Sequence, residues 1–240
     1  MYIPTAYNVK DLQKQIQLIR DYPLGTLFSS KAVSRGLFSS WKTNGSEQPD
    51  SDMCASHIPF FFVESPEGKH KLIAHLSAKN QHADQLENVS KCLVTFQSTD
   101  SYISPSWYPL KEKTHKFVPT WNFAAVHVYG TPKIIRGDKE WLLRMLNILT
   151  DQEEGKRPEG ENFKAKWKVS DSPESFIDGK LKGIIGLEID ITHMESKFKF
   201  DQDSSQVNVD GVISNLENEV GGDKGKEMAQ FTKECYPKKK

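Results

Sequence analysis

The residues best suited to hold a ligand lie between Ser101 and Tyr129, in the stretch SYISPSWYPLKEKTHKFVPTWNFAAVHVY. Two aromatic, proline-containing clusters, Ser104-Pro105-Ser106-Trp107-Tyr108-Pro109 and Val118-Pro119-Thr120-Trp121-Asn122-Phe123, flank a polar, lysine-rich loop from Lys111 to Lys116. Pro105, Pro109 and Pro119 fix φ locally, so each neighbouring ring is held at a defined angle with little ordering entropy left to lose. Indoles beside Ser, Thr and Asn suit a flat heterocycle, with rings on its faces and short polar groups at its edge. The same pattern also describes a long hairpin loop packed by its own aromatics.

A second constellation is Ser77-Ala78-Lys79-Asn80, at the end of the apolar run Lys71–Leu76. Ser77 is read as the N-cap of a helix running to about Asn88. Free N–H groups, the helix dipole and the Lys79 ammonium would then converge as an anion site. Taken alone, it equally describes a capped surface helix with a solvated lysine. His57 and His75 sit on neighbouring apolar runs; the sequence leaves open whether they face one cleft or are hydrogen-bonded core residues. No Gly-x-Ser-x-Gly elbow, His-Glu-x-x-His pair or glycine-rich nucleotide fingerprint is present, and Cys54, Cys92 and Cys235 have no metal-ligand spacing. No catalytic residue and no metal site is assigned; any chemistry would be carried by a bound cofactor.

The positioning elements follow from periodicity. Asn8 caps a helix carrying Leu12, Ile16 and Ile19, which Pro23 closes. Strands are read at Leu24–Ser29, Met53–Glu64, Lys71–Leu76, Lys91–Gln97, Trp121–Tyr129 and Lys182–Ile191, with Pro59 at an edge or bulge. Residues 30–52 form an inserted hairpin loop containing Trp41. Trp141, Leu142, Met145, Leu146 and Leu149 make one apolar stripe on a helix from Asp138 to Thr150. Another helix starts at Ser172-Pro173, and the chain between is a charged loop. Six strands with helices inserted read as a mainly β protein with peripheral helices, a six-stranded β-barrel. Domain organisation is read as 1–200, the barrel, followed by 201–240, where Gln206–Glu219 is one amphipathic helix and the remainder a loosely ordered, flexible tail.

The chain has 240 residues, 37% hydrophobic and 27% charged, with 32 basic against 32 acidic side chains. That length can bury a sizeable core. Zero net charge argues against direct nucleic-acid contact through a broad basic face. No apolar run reaches membrane-spanning length, so no membrane is expected. The odd, scattered cysteines fit a reduced compartment, the cytoplasm, with the nucleus left open.

Met1-Tyr2-Ile3-Pro4, Ser56-His57-Ile58-Pro59-Phe60, His75-Leu76-Ser77-Ala78-Lys79-Asn80, Tyr102-Ile103-Ser104-Pro105-Ser106-Trp107-Tyr108 and Val118-Pro119-Thr120-Trp121-Asn122-Phe123 occur in this order. In these motifs the chain, over residues 1 to 216, resembles the PaiB-like family of FMN-binding negative transcriptional regulators. That family belongs to the split β-barrel group that also holds pyridoxamine phosphate oxidase-like flavoproteins. The resemblance implies a six-stranded FMN-binding split barrel and a homodimer with two flavin sites at the subunit interface. It implies that Lys79, with Ser77 and Asn80 and beside His75, meets the FMN phosphate. Ser56 and His57 match the strand lining the flavin ring and ribityl chain, and Tyr102, Ser104, Trp107, Thr120, Trp121 and Asn122 match the signature cleft. Two departures stand out: residues 30–51 exceed the family's short hairpin, and the usual Lys-Trp-Lys-Leu-Ser-Gln-Asn appears as Lys197-Phe198-Lys199-Phe200-Asp201-Gln202-Asp203. An acid where a neutral residue is usual would weaken anion binding if this segment meets the phosphate.

Three functions follow. The first is a dimeric flavin-binding protein acting as a flavin-dependent oxidoreductase. The second is a transcriptional regulator without its own DNA-binding motif. The third is haem binding or degradation, with His57, His75 or His127 as axial ligand.

Overall fold

The computed structural model describes residues Met1–Lys31 and Met53–Tyr236. Most of the expected 30–52 insertion, Trp41 included, and the last four residues lie outside these. Among the described residues there are eight strands: β1 (Leu24–Ser30), β2 (Met53–Pro59), β3 (Phe61–Val63), β4 (Lys71–Ser77), β5 (Cys92–Gln97), β6 (Ser101–Ile103), β7 (Thr120–Ile135) and β8 (Ile184–Lys199). Seven helices accompany them: α1 (Leu12–Asp21), α2 (His82–Leu86), α3 (Lys111–Thr114), α4 (Lys139–Gly155), α5 (Glu174–Leu181), α6 (Gln206–Asn215) and α7 (Gly222–Cys235). Hydrogen-bonded strand order is β2-β1-β5-β7-β8-β4-β3, with β6 pairing β7.

The expected class, mainly β with peripheral helices, is what the chain adopts; the strand count among the described residues is eight rather than six. Pro59 cannot donate to a ladder, so Met53–Glu64 breaks there. Phe60 instead donates its N–H to the Pro23 carbonyl at 2.9 Å, and β3 begins beyond it. Gly130 does not end β7. A Cβ there would lie 2.4 Å from Ile189 Cγ2, so glycine permits a close strand approach and the strand continues to Ile135.

Two compact units divide the chain, each from separate segments, and the chain of β5, β7 and β8 runs through both. The unit of Pro23–Val94 and Val128–His193 holds β1–β2, an antiparallel pair with Thr26 opposite His57, Leu27 opposite Ser56 and Ser29 opposite Cys54. It also holds the β3–β4 and β4–β8 pairs. Its apolar cluster joins Ile73 to Leu142, Met145 and Leu149 of α4 and Leu181 of α5, so the predicted stripe is core packing. The Asp138 carboxylate accepts the Trp141 N–H at 2.9 Å and starts α4, which runs to Gly155, five residues past the expected end.

The unit of Met1–Tyr22, Thr95–His127 and Met194–Lys240 holds α1, β6, α3, α6 and α7. Asp11, not Asn8, caps α1, accepting the N–H groups of Gln13 and Lys14. The stretch expected as a loose tail is instead the helix α7. Gly225, Met228, Ala229 and Thr232 recur at helical spacing and are buried, and Phe231 stacks on Phe200 with centroids 5.1 Å apart. Small residues on that stripe hid its amphipathicity. Gly211 of α6 packs against the first aromatic cluster: a Cβ there would be 2.2 Å from the Trp107 carbonyl oxygen.

Candidate functional site

In the first of these units, β1 and β2 set two hydroxyls on one face. Residues directly opposite in a ladder share a face, as do residues two apart, so Leu27, Ser29, Cys54 and Ser56 point the same way. His82, 1% exposed at the start of α2, spans the two serines. Its Nε2 is 2.9 Å from Ser29 Oγ and its Nδ1 2.8 Å from Ser56 Oγ. Gln85 Nε2 donates to Ser29 Oγ at 3.0 Å, and Asn80 Nδ2 lies 3.4 Å from Ser56 Oγ. The Asn80 carbonyl accepts the His82 N–H at 3.0 Å, which orients the amide. Burial holds the His82 pKa below its ordinary value, so the ring is neutral.

The residues expected at an anion site share the adjoining turn. Ser77 Oγ accepts the Lys79 N–H at 3.3 Å, the Asn80 N–H reaches the Ser77 carbonyl at 2.9 Å, and Ala78 N–H is anchored on the Gly183 carbonyl. Lys79 is exposed, and no ion pair to it is formed among the described residues. Ser77 does not cap α2. Asn80 competes for that role, and the helix, delayed to His82, has only five residues, too few for a useful dipole. His57, opposite Thr26, is exposed and points to the other face of β2 from Ser56. His75 on β4 is mostly buried; its Nδ1 has no protein partner, and burial pushes its pKa down.

In the second unit the ligand-suited stretch divides. Tyr102 and Trp121, opposite each other in the β6–β7 pair, stay 45% and 54% exposed and meet edge to face at 6.2 Å. Trp107 is buried, and its indole N–H donates to Glu219 at 2.9 Å. Ser104 Oγ accepts the Ser106 N–H and caps the short turn carrying Trp107. Thr120 Oγ1 accepts from the Lys199 ammonium, which also reaches the Trp121 carbonyl at 2.8 Å; burial lowers the Lys199 pKa, opposed by Asp201 and Asp203. Asn122 is fully buried and donates to Asp201 at 2.5 Å, leaving its own carbonyl oxygen without a protein partner. Tyr108 donates to the other Asp201 oxygen at 3.0 Å, and Tyr7 donates to Asp203 at 2.8 Å. Asp201 and Asp203 are thus both hydrogen-bond acceptors for tyrosines. His127 Nδ1 lies 3.6 Å from Glu195, and burial lowers its pKa.

Among the sequence-predicted residues, Ser56, Asn80, Ser77 and Lys79 come together, and Tyr102 meets Trp121. Sequence reading missed Ser29, His82 and Lys199. The one signal was that Ser29 repeats the inward phase of Gly25 and Leu27 along β1, a polar residue on a buried face.

A family model described as "Putative FMN-binding domain" matches residues 1–193. A Saccharomyces cerevisiae chain, "Uncharacterized protein YKL070W", is 63% identical over 167 residues, covering 69% of this chain and 98% of its own. "Protease synthase and sporulation protein PAI 2" of Bacillus subtilis is 25% identical over 238 residues, covering 99% of both chains. The FAD and heme binding protein from Mycobacterium smegmatis superposes with a TM-score of 0.51 at 16% identity, over 80% of this chain and 73% of that one. The PaiB-like resemblance is borne out, and with it the split-barrel fold class. The chain belongs to the FMN-binding domain family, as a PaiB-like member with a split β-barrel fold.

Proposed function

We propose that this chain binds a flavin, FMN in particular, and acts as a flavin-dependent oxidoreductase. Family membership supports the reading, and the observation that carries it is the Ser77–Asn80 turn. Lys79 stands on it exposed, while Asn80 on the same turn reaches Ser56. One free ammonium beside hydroxyl and amide groups fits a phosphate and the hydroxyls of a ribityl chain. The donor set of this turn therefore suits FMN. Asp201 does not count against it as a loose charge, since both of its oxygens serve Tyr108 and Asn122. A bound flavin would supply hydride and electron transfer. The residues' part is to hold the phosphate at Lys79 and Ser77 and to orient polar edges through Ser56 and Asn80. The exposed Tyr102 and Trp121 rings would offer an apolar surface to a ligand or to a second copy, and a homodimer is part of the proposal.

The test is titration of the purified protein with FMN, FAD and riboflavin, followed by flavin fluorescence and near-UV to blue absorbance. FMN is expected to bind more tightly than riboflavin. A colourless protein that takes up no added FMN refutes the proposal. Light scattering checks the dimer. Haem binding is a second reading. It rests on His57, which is exposed on β2. A Soret band lost in His57→Ala would establish it. A regulatory role by direct DNA contact is tested by retardation of duplex DNA at low salt.

A further inference from the structure

The Ser29–His82–Ser56 chain has a direction, and burial sets it. Ser29 is 5% exposed and His82 1% exposed, so neither can leave a polar hydrogen to water. Ser29 Oγ already accepts from Gln85 Nε2 at 3.0 Å, and among the described residues His82 Nε2, at 2.9 Å, is the acceptor within its reach. If Nε2 carried the ring proton, Ser29 would receive two donors and its own buried hydroxyl hydrogen would go unpaired, at a cost comparable to a lost hydrogen bond. With the proton on Nδ1 every group is satisfied. Ser29 donates to Nε2, and Nδ1–H donates to Ser56 Oγ at 2.8 Å. Ser56 Oγ, which also has Asn80 Nδ2 at 3.4 Å, is then an acceptor twice over. Its hydroxyl hydrogen is left to point away from both, and Ser56, unlike Ser29, is only half-buried.

We infer that Ser29 and His82 are positioning residues that fix Ser56 as a one-way hydrogen-bond donor, so that the ligand atom meeting Ser56 is an acceptor: a carbonyl or phosphate oxygen or an unprotonated ring nitrogen. The same direction removes His82 as a general base toward Ser56, because the facing ring nitrogen already carries its proton. The identity of the ligand rests on the flavin reading; the direction of the relay does not.

Two measurements test it. Nitrogen-15 correlation spectra of histidine-labelled protein, with His82 assigned through His82→Gln, read the tautomer directly and need no ligand. The Nδ1–H tautomer is expected; Nε2–H, or a doubly protonated ring at neutral pH, overturns the relay. FMN titration of Ser56→Ala and Ser29→Ala is the second. Both should raise the FMN dissociation constant by about tenfold, and Ser29→Ala should shift the tautomer although it touches no ligand. If Ser56→Ala weakens FMN while Ser29→Ala leaves both tautomer and affinity unchanged, the relay is wrong. A chain that takes up no FMN defeats the flavin reading alone, and the tautomer still decides the relay.

Discussion

The Tyr108 hydroxyl donates to Asp201 across 3.0 Å, although the two residues are 93 positions apart. Asp201 is 6% exposed and holds a left-handed backbone, φ 59°, which a residue other than glycine adopts only when its surroundings demand it. Its second oxygen takes the Asn122 amide. Asp201→Ala should therefore cost about 2–4 kcal/mol, since it strands two buried donors. Urea unfolding curves would show it as a lower midpoint at unchanged slope.

The same contact shapes alkaline behaviour. Burial first, then the charge and hydrogen bond of Asp201, hold the Tyr108 pKa well above its ordinary value of 10. Tyr22, half-buried and bonded to Glu227, is pushed up to about 12. Above pH 10 the unfolded chain releases these protons while the folded chain keeps them, so stability falls as pH rises. Tyr108→Phe should flatten that fall, measured as unfolding midpoint between pH 9 and about 11.

On the acid side the histidines act in the opposite direction. Burial lowers the pKa values of His75 and His82 below 6.5. Between those values and 6.5 the unfolded chain takes up protons that the folded chain refuses. Stability is thus complete above 6.5 and lost on acidification below it. His75→Gln should make the loss between pH 7 and about 5 shallower in thermal unfolding.

Gly211 and Gly179 give a matched pair. A Cβ at Gly211 would meet the Trp107 carbonyl at 2.2 Å, whereas at Gly179 in α5 nothing lies within 4 Å. Gly211→Ala should destabilise by about 1–3 kcal/mol through overpacking. Gly179→Ala should stabilise by about 0.5–1 kcal/mol, the helix-propensity difference. Calorimetry on both variants checks the contrast in sign.

If Lys79 meets a phosphate, Lys79→Ala should weaken FMN by about tenfold, or ~1.4 kcal/mol. Riboflavin, which lacks the phosphate, should bind with unchanged affinity. Because Lys79 is exposed, the unfolding midpoint should not move. Equal losses for both ligands would place the phosphate elsewhere.

Elements with a clear period were legible in the sequence. The apolar stripe of α4 and the strands Leu24–Ser29 and Lys71–Leu76 needed only spacing of 3.6 or 2. The signature motifs named the family. What escaped depends on register or competition. Ser29 meets His82 across 53 residues because two strands pair in one alignment, and no local pattern encodes that. Ser77 looked like a cap, but Asn80, three residues later, takes the helix N–H instead. α7 hid because three of the four residues on its buried stripe are glycine, alanine and threonine, with Met228 the one large apolar side chain among them. Trp107 and Trp121 look alike in sequence; packing by α6 and Glu219 buries one, and the other stays open.

The β1–β2 ladder runs in register until Ser30 stands opposite Met53. Partners in such a ladder have Cα atoms about 5 Å apart, so the chain between them leaves and returns at practically one point. Closing a longer segment there adds little entropy, about 0.6 kcal/mol per doubling. These strand ends are accordingly a natural splice point: a reporter domain or a two-residue turn could replace residues 31–52 while Ser29 and Ser56 keep their places.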